Sequence, residues 1–281
     1  MLNLLRGLSF TLAIQLSPVG LASGVQREEV FPIEKLPVTL QAEAKTILQR
    51  IFESEALLTI VGDLKPMSSG SWMSLRFEVD SPPIQKLEDW HLISGALSVG
   101  KEIQVVINPF TRIMDGKRHV EGYVFRRSTF DKKVKENPRI FGYFGITPSM
   151  PFASVLGIID GESTPERSRA YGTLFGYPKH AVDFFVSAEE SQKKDGNFVQ
   201  RDFWTVPVYG SKNNRFVYAI PKGATPIEID LQIKDKVARI VSAFTFRRQK
   251  YEKDGAVDIL SLARDWFRGP NGLYDPQYAM Y

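Results

Sequence analysis

The sequence predicts an α+β fold, with a mixed or antiparallel sheet of paired strands packed against several helices. Stretches typical of strands come in adjacent pairs, whereas stretches typical of helices come in runs, so strict βαβ alternation is not indicated. The composition is that of a globular chain, with 43% hydrophobic and 24% charged residues among 281. We expect one globular domain over residues 23–281, with a possible subdivision near the polar segment 191–197.

Helices are predicted where apolar residues recur at helical spacing and where a cap or a proline marks a start. The segment 128–137 is instead predicted as a short exposed helix because it is highly charged. The predicted helices are 40–54, the segment after Ser81, 128–137, the segments from Ser149 and from Ser163, 179–190, the segment from Thr225, and 256–268. The segment from Thr225 also alternates like a strand from Ile227 to Ile233. We prefer the helix there, because its periodicity continues as far as Phe244.

Strands are predicted from β-branched apolar runs and from alternation of apolar and polar residues. The predicted strands are 56–62, 72–79, 103–107, 120–125, 140–146, 198–208 and 215–220. The last two flank a Gly- and Asn-containing turn and predict a hairpin. Pro207 in its first strand favours an edge position.

The N-terminal residues 1–22 have the features of a secretory signal peptide. Arg6 precedes an apolar stretch, and small residues follow at Gly20 and Ala22, where a signal peptidase requires them. An N-terminal helix packed on the surface is the alternative, because polar residues interrupt the apolar stretch. The pattern predicts an exported protein, periplasmic or secreted, cleaved after Ala22.

Composition and charge exclude several classes of site and partner. The chain has no cysteine, which excludes disulfides, catalytic thiols, Fe–S clusters and cysteine-based zinc sites. A formal net charge of +4 on a chain of this length does not suggest binding to nucleic acid. No apolar run has the length of a transmembrane segment. No cofactor and no metal site is predicted, and the oligomeric state stays open.

The segment 62–71 is the first candidate site. A predicted buried strand ends there in polar residues, and polar loops at the ends of core strands often carry function. Asp63 is a candidate acid or base, and Lys65 is a candidate group for stabilising negative charge. The candidate ligand-binding side chains of this segment and its border are Ser68, Ser69, Ser71 and Trp72. The alternative is a hairpin loop in which proline and glycine only set the turn.

The segment 172–185 is the second candidate site. Tyr177 and Lys179 are candidate ligand-binding residues, and His180 is a candidate catalytic base at the start of a helix, where an anion can bind. His180 and Asp183 share a face of that helix and could form a base with its orienting carboxylate. The alternative is a helix–helix corner with aromatic core residues.

Basic residues are concentrated in two further segments, 126–135 and 247–250. Aromatic residues lie among them, so each segment is a candidate contact surface for anionic lipid or polysaccharide. Acidic residues are also interspersed, which favours a solvated helix face instead.

Two functional hypotheses follow. The first is an exported protein that binds a small molecule or an envelope component in a cleft near residues 63–71. The second is an exported hydrolase with Asp63, Lys65 and His180 at its centre. No recognised nucleophile or metal-binding motif is present, and this favours binding.

Overall fold

The computed structural model describes residues 30–163, 165–209 and 215–268. The α-helices of this part of the chain are α1 (Val38–Phe52), α2 (Leu57–Ile60), α3 (Ile84–Ala96), α4 (Arg127–Glu136), α5 (Pro138–Tyr143), α6 (Phe152–Gly161), α7 (Glu166–Leu174), α8 (Lys179–Asp195), α9 (Glu228–Arg248) and α10 (Ile259–Asp265), and a short 3-10 helix at Ile33–Lys35 precedes them. The strands are β1 (Met67–Glu78), β2 (Ile103–Pro109), β3 (Lys117–Arg126), β4 (Arg201–Pro207), β5 (Arg215–Pro221), β6 (Glu252–Lys253) and β7 (Ala256–Val257). Small antiparallel sheets pack against these helices, so the α+β prediction is confirmed.

The larger sheet has the strand order β1-β3-β2, and both pairings are antiparallel. β3 is the middle strand, with Val120 opposite Leu75 of β1 and Val124 opposite Val105 of β2. The turn between β2 and β3 contains Gly116 at a φ of 73°, a conformation that glycine adopts without a steric penalty. The two strands predicted in this region are confirmed, and they form a hairpin.

Each face of this sheet is covered by its own hydrophobic core. Along β3, Val120 and Val124 belong to one core and Tyr123 and Phe125 to the other, because successive side chains of a strand point to opposite faces. The larger core adds residues of α1, α2, α3, α9 and α10, and the smaller adds residues of α4 to α7. The sheet is therefore the middle one of three layers.

The second hairpin consists of β4 and β5, with Trp204 opposite Tyr218. The turn predicted to join them lies outside the described residues. Val206 and Phe216 are buried in the larger core, while α8 packs against β5 and α9 against β4. The hairpin thereby brings Tyr218 next to the first turns of both helices.

The strand predicted at residues 56–62 is wrong, because this run forms the short helix α2. All four residues of α2 are buried, and the N–H of Val61 donates to the carbonyl of Leu57 at 2.8 Å. A short apolar run buried on every side fits a helix turn as well as a strand, and its periodicity does not separate the two.

The strand predicted at residues 140–146 is also wrong, because α5 covers most of it. Pro138 occupies the first turn of this helix, where its missing N–H costs nothing. Phe141 alone among the residues of α5 is buried, and it enters the smaller core. A helix that buries so little has no clear period in its sequence.

The strand predicted at 72–79 begins earlier than expected. β1 starts at Met67, so the predicted loop is reduced to the residues between α2 and β1. A bulge interrupts the pairing of β1 with β3 between Gly70 and Ser74. The ring of Trp72 fills the space beside Gly70 and Gly122, where an added Cβ would lie 2.4 and 2.6 Å from ring atoms. The aromatic ring thus requires glycine on both strands.

The polar segment 191–197 is mostly helical, because α8 continues to Asp195. Gly196 then ends the helix at a φ of 71°, as is usual for glycine after a helix. The helix predicted from Thr225 is confirmed as α9. Its N-terminal cap differs, since the Asp230 carboxylate accepts the N–H of Ile227 at 2.9 Å. Over the described ranges, none of the helices combines the length and apolar character required to span a bilayer.

Candidate functional site

A groove of about 1230 Å³ is lined by residues of α4, α5, α7, α8 and α9. Its cationic side chains come from all five helices: Lys132, Lys133, Arg139, Arg169, Lys179 and Lys236. We call this cavity the basic groove. Leu64, Tyr177 and Ile233 add an apolar part to its lining.

Helix geometry places the cations of α4 toward the groove. Thr129, Phe130 and Val134 face inward and are buried, so Lys132 and Lys133 lie on the remaining face of the helix. Both lysines contact one carboxylate, that of Glu136, with N–O distances of 3.9 and 3.4 Å. A single carboxylate is therefore shared by two ammonium groups, which leaves part of their positive charge unbalanced.

Asp63 lies in this groove, at the end of the segment that follows α2. Its carboxylate accepts a hydrogen bond from the ammonium of Lys236 on α9. Burial acts to raise the pKa of Asp63, but the Lys236 ammonium outweighs it and holds that pKa below the usual aspartate value. Asp63 is thus an ionised group that joins the α2–β1 segment to α9.

His180 also lies in the basic groove, and its partner is an aspartate from another helix. The Nε2 atom of His180 is 3.3 Å from Oδ1 of Asp230, whose side chain is 2% exposed. The same Oδ1 accepts the hydroxyl of Tyr218 at 2.5 Å. Burial, followed by Asp230, raises the pKa of Tyr218. Asp230 therefore bonds β5 to the start of α9, next to His180 at the wall of the groove.

The expected pairing of His180 with Asp183 is not observed. Asp183 instead contacts Lys179 on its own helix and Arg169 on α7, the latter at 3.8 Å. Two cations again share one carboxylate. Arg169 also lies 3.8 Å from Glu166 and 3.9 Å from Glu190.

Lys65 does not line the groove. Its side chain is completely buried, with Nζ 2.9 Å from a carboxylate oxygen of Glu55 and 5.0 Å from the centre of the Phe216 ring. Burial lowers the pKa of Lys65, and Glu55 partly opposes this. In this position Lys65 cannot contact a molecule bound beside Asp63 and His180.

The predicted ligand-binding residues of β1 are also separated from the groove. Ser68 is buried and shares a hydrogen bond of 2.8 Å with Thr59, and Trp72 is buried in the larger core. Ser71 is exposed on β1. Ser69 lines a different cavity, beside β3 and α7. The bulged strand thus distributes these side chains over both faces of the sheet.

Tyr177 and Lys179 are the two predicted ligand-binding residues that do line the groove. The Tyr177 ring lies 5.6 Å from that of Phe216 and 5.9 Å from that of Tyr218. Lys179 occupies the first turn of α8, and its side chain is 88% exposed. The structure therefore brings together Asp63, Tyr177, Lys179 and His180.

Three further groove residues were not expected from the sequence: Arg139, Arg169 and Lys236. They come from separate helices, so no local spacing connects them. The sequence feature that pointed to this surface was the basic segment 126–135, because its residues Lys132 and Lys133 also line the groove. Over the residues that the structure describes, Arg139 forms no ion pair.

The three histidines occupy separate surroundings. His91 lines an apolar cavity of about 300 Å³ beside β2, and the His119 ring stacks on Phe110 with 4.6 Å between centres. Within the described ranges, no three histidine or carboxylate side chains are grouped closely enough to hold a metal ion.

No protein-family model, curated protein or solved structure matches this chain. The function is therefore inferred from the chemistry of the residues themselves. In the basic groove, that chemistry consists of several cations, fewer carboxylates, one histidine and a partly apolar floor.

Proposed function

We propose that this protein binds a small anionic molecule in the basic groove. The observation that carries this proposal is the imbalance of charge around one cavity. The carboxylates that line it are Asp63, Glu136, Glu166 and Asp183, fewer than the cationic groups supplied by the same helices. A ligand with carboxylate or phosphate groups would balance the remaining positive charge.

The start of α8 supports the same class of ligand. The first N–H groups of a helix have no acceptors within the helix, and no side chain caps α8. The helix dipole adds a partial positive charge at this end. Because Lys179 and His180 occupy this turn and line the groove, an anion could accept hydrogen bonds from backbone and side chains together.

The apolar part of the lining limits the ligand further. Leu64, Tyr177, Ile229 and Ile233 lie among the charged groups. A ligand that combines an anionic group with an apolar or ring portion would therefore contact more of the groove than a bare ion. Both a small metabolite and an anionic fragment of an envelope polymer satisfy this description.

Calorimetric titration tests the proposal, with inorganic phosphate, citrate and a short anionic oligosaccharide as probes. We expect at least one probe to bind, with an affinity that falls as salt is added. Arg139→Gln should weaken binding by about tenfold, as expected for loss of a charge-assisted hydrogen bond. The matched control is Arg76→Gln, because Arg76 is exposed on β1 and bonded to Asp115, away from the groove.

Two results would overturn the binding proposal. One is the absence of binding by all three anions at low salt. The other is an equal loss of affinity in Arg139→Gln and Arg76→Gln. That result would show that the anion responds to the overall positive charge of the protein and not to the groove.

A hydrolase is the second candidate, favoured by one observation: Nε2 of His180 lies 3.3 Å from the buried Asp230 carboxylate, and His180 shares a cavity with Asp63. A histidine held by a buried carboxylate is a common form of general base. Lys65 has no role in this version, since it does not reach the groove. Turnover of p-nitrophenyl phosphate or acetate that is lost in His180→Asn would favour hydrolysis. Anion binding without turnover supports the binding protein.

Export is part of the proposal and rests on the sequence pattern of residues 1–22, which lie outside the described residues. Its test is the N-terminal sequence of the protein recovered from its native cells. We expect the mature chain to begin near Ser23. A protein that retains Met1 in the cytoplasm would contradict export and would leave the groove proposal unaffected.

A further inference from the structure

A second cavity, of about 370 Å³, lies beside β3 and α7 and is separate from the basic groove. Its aromatic walls are Phe110, Tyr123, Tyr171 and Phe175. We call it the aromatic pocket. Its volume falls within the usual range of small-molecule sites, which are mostly apolar with a few convergent polar groups.

One carboxylate of this pocket is already satisfied by the protein. Asp160 accepts the hydroxyl of Tyr171 at 2.5 Å and the amide of Asn108 at 2.9 Å. It therefore joins α6 to α7 and β2, and both of its oxygen atoms are occupied. This residue shapes the pocket rather than offering a free charge to a ligand.

Glu121 is the carboxylate that remains. It lies on β3 opposite Ser74, where the bulge of β1 ends, and it lines the pocket. Burial raises its pKa, which the Tyr123 hydroxyl only partly opposes. Over the described ranges, no lysine, arginine or histidine forms an ion pair with Glu121.

The pocket also holds uncompensated positive charge. Arg112, from the β2–β3 hairpin, and Arg167, from α7, both line it and are both exposed. Neither forms an ion pair with another residue in the part of the chain that the structure describes. Groups of both signs thus face one aromatic cavity without neutralising each other.

We infer that the aromatic pocket binds a small zwitterion of the α-amino acid class that carries an apolar or aromatic side chain. Its ammonium would pair with Glu121 and its carboxylate with Arg112 or Arg167. Its side chain would pack against the aromatic walls. This inference is independent of the proposed function, because it concerns another cavity and no residue of the groove.

A zwitterion fits the charged groups of the pocket better than a simple anion or a simple cation does. An anion without an ammonium group would leave the half-buried Glu121 unpaired and would repel it. A cation without a carboxylate would leave the two guanidinium groups unused. An ammonium group near aromatic faces also gains from the cation–π interaction.

Calorimetry on the unmodified protein tests the inference without any variant. The probes are L-phenylalanine, L-leucine and L-methionine, together with two analogues of phenylalanine that each lack one charge. Phenethylamine has no carboxylate, and 3-phenylpropanoate has no ammonium. We expect at least one amino acid to bind, and each analogue to bind weaker than L-phenylalanine by on the order of tenfold or more. Binding of an analogue as tightly as L-phenylalanine would overturn the inference.

Variants then locate the site. Glu121→Gln should weaken amino-acid binding on the order of tenfold, and so should the double variant Arg112→Gln/Arg167→Gln, with unchanged circular dichroism. The matched controls are Glu88→Gln, at an exposed position of α3, and Arg139→Gln in the basic groove. Arg139→Gln should reduce anion binding only, which separates the two sites. Failure of all three amino acids to bind at millimolar concentration would overturn the inference. Full binding by Glu121→Gln or by the double arginine variant would also overturn it.

Discussion

The segment between α2 and β1 forms two ion pairs that differ in depth. Asp63 pairs with Lys236 at the groove, where their side chains are 43% and 25% exposed. Lys65, two positions later, pairs with Glu55 and is completely buried. The chain bends through residues 61–64, with Gly62 at a φ of 98°. Residues two positions apart therefore do not share a direction here, and one charge faces solvent while the other enters the interior.

The difference in depth decides what each charge can do. A partly exposed pair is screened by water and contributes little to stability, so Asp63 and Lys236 remain open to a ligand. A buried lysine has lost its hydration, and removing its partner exposes the full cost of that loss. Lys65 is therefore part of the structure, supported by Glu55 and by the rings of Phe175 and Phe216.

The largest effect should come from removing the buried cation. Lys65→Ala leaves Glu55 without its partner and opens a cavity between aromatic rings, which should lower the free energy of unfolding by about 3 kcal/mol or more. Urea denaturation measures this. Lys65→Met combined with Glu55→Gln keeps the volume and removes both charges, so it should recover part of the loss. A cost below about 1 kcal/mol for Lys65→Ala would contradict the structural role.

The second-largest effect should come from the close contact between Gly176 and Leu64 of this segment. Gly176 has a φ of 78°, and a Cβ added there would lie 2.7 Å from the carbonyl oxygen of Leu64. Gly176→Ala should therefore destabilise the protein by about 1–3 kcal/mol. Gly157→Ala in α6 is the matched control, since nothing lies within 4 Å of its added Cβ. Equal melting temperatures of the two variants would contradict this prediction, because they would show that the segment moves away from the added Cβ without loss of stability.

A buried carboxylate at the groove wall gives the next effect. Asp230→Ala removes the acceptor of Tyr218 and of the Ile227 N–H, which should cost about 2 kcal/mol. The control is Asp235→Ala, which changes an exposed aspartate of the same helix. Thermal unfolding compares them. If Asp235→Ala is as destabilising, the loss reflects α9 in general and not the buried network.

The smallest effect should be at the exposed pair. Asp63→Asn should change the free energy of unfolding by no more than about 1 kcal/mol. Because the pKa of Asp63 is lowered in the folded protein, its contribution is present above the unfolded pKa. That contribution disappears as the pH falls through the folded pKa. The free energies of unfolding of the unmodified protein and of Asp63→Asn should therefore converge as the pH falls. A difference that grows in acid would contradict the lowered pKa of Asp63.

Helices that bury a continuous stripe were predictable from the sequence, as α1 and α9 show. α2 and α5 were not, because a short run buried all round, or one with a single buried residue, has no measurable period. Asp63 and His180 could be named as candidates from the sequence because each lies within two positions of a residue that ends or starts a predicted element, Gly62 or Pro178. Arg139 and Lys236 were missed, since only the packing of separate helices brings them to the groove.

The middle position of β3 has a consequence for how the molecule opens. Both edges of this strand are bonded, to β1 and to β2, and both of its faces are covered by hydrophobic residues. The amide protons of its buried part, residues 122–126, can therefore exchange with deuterium only when two cores separate together. We expect the amide of Val124 to exchange at the rate of global unfolding, which makes it an internal gauge of the whole molecule's stability.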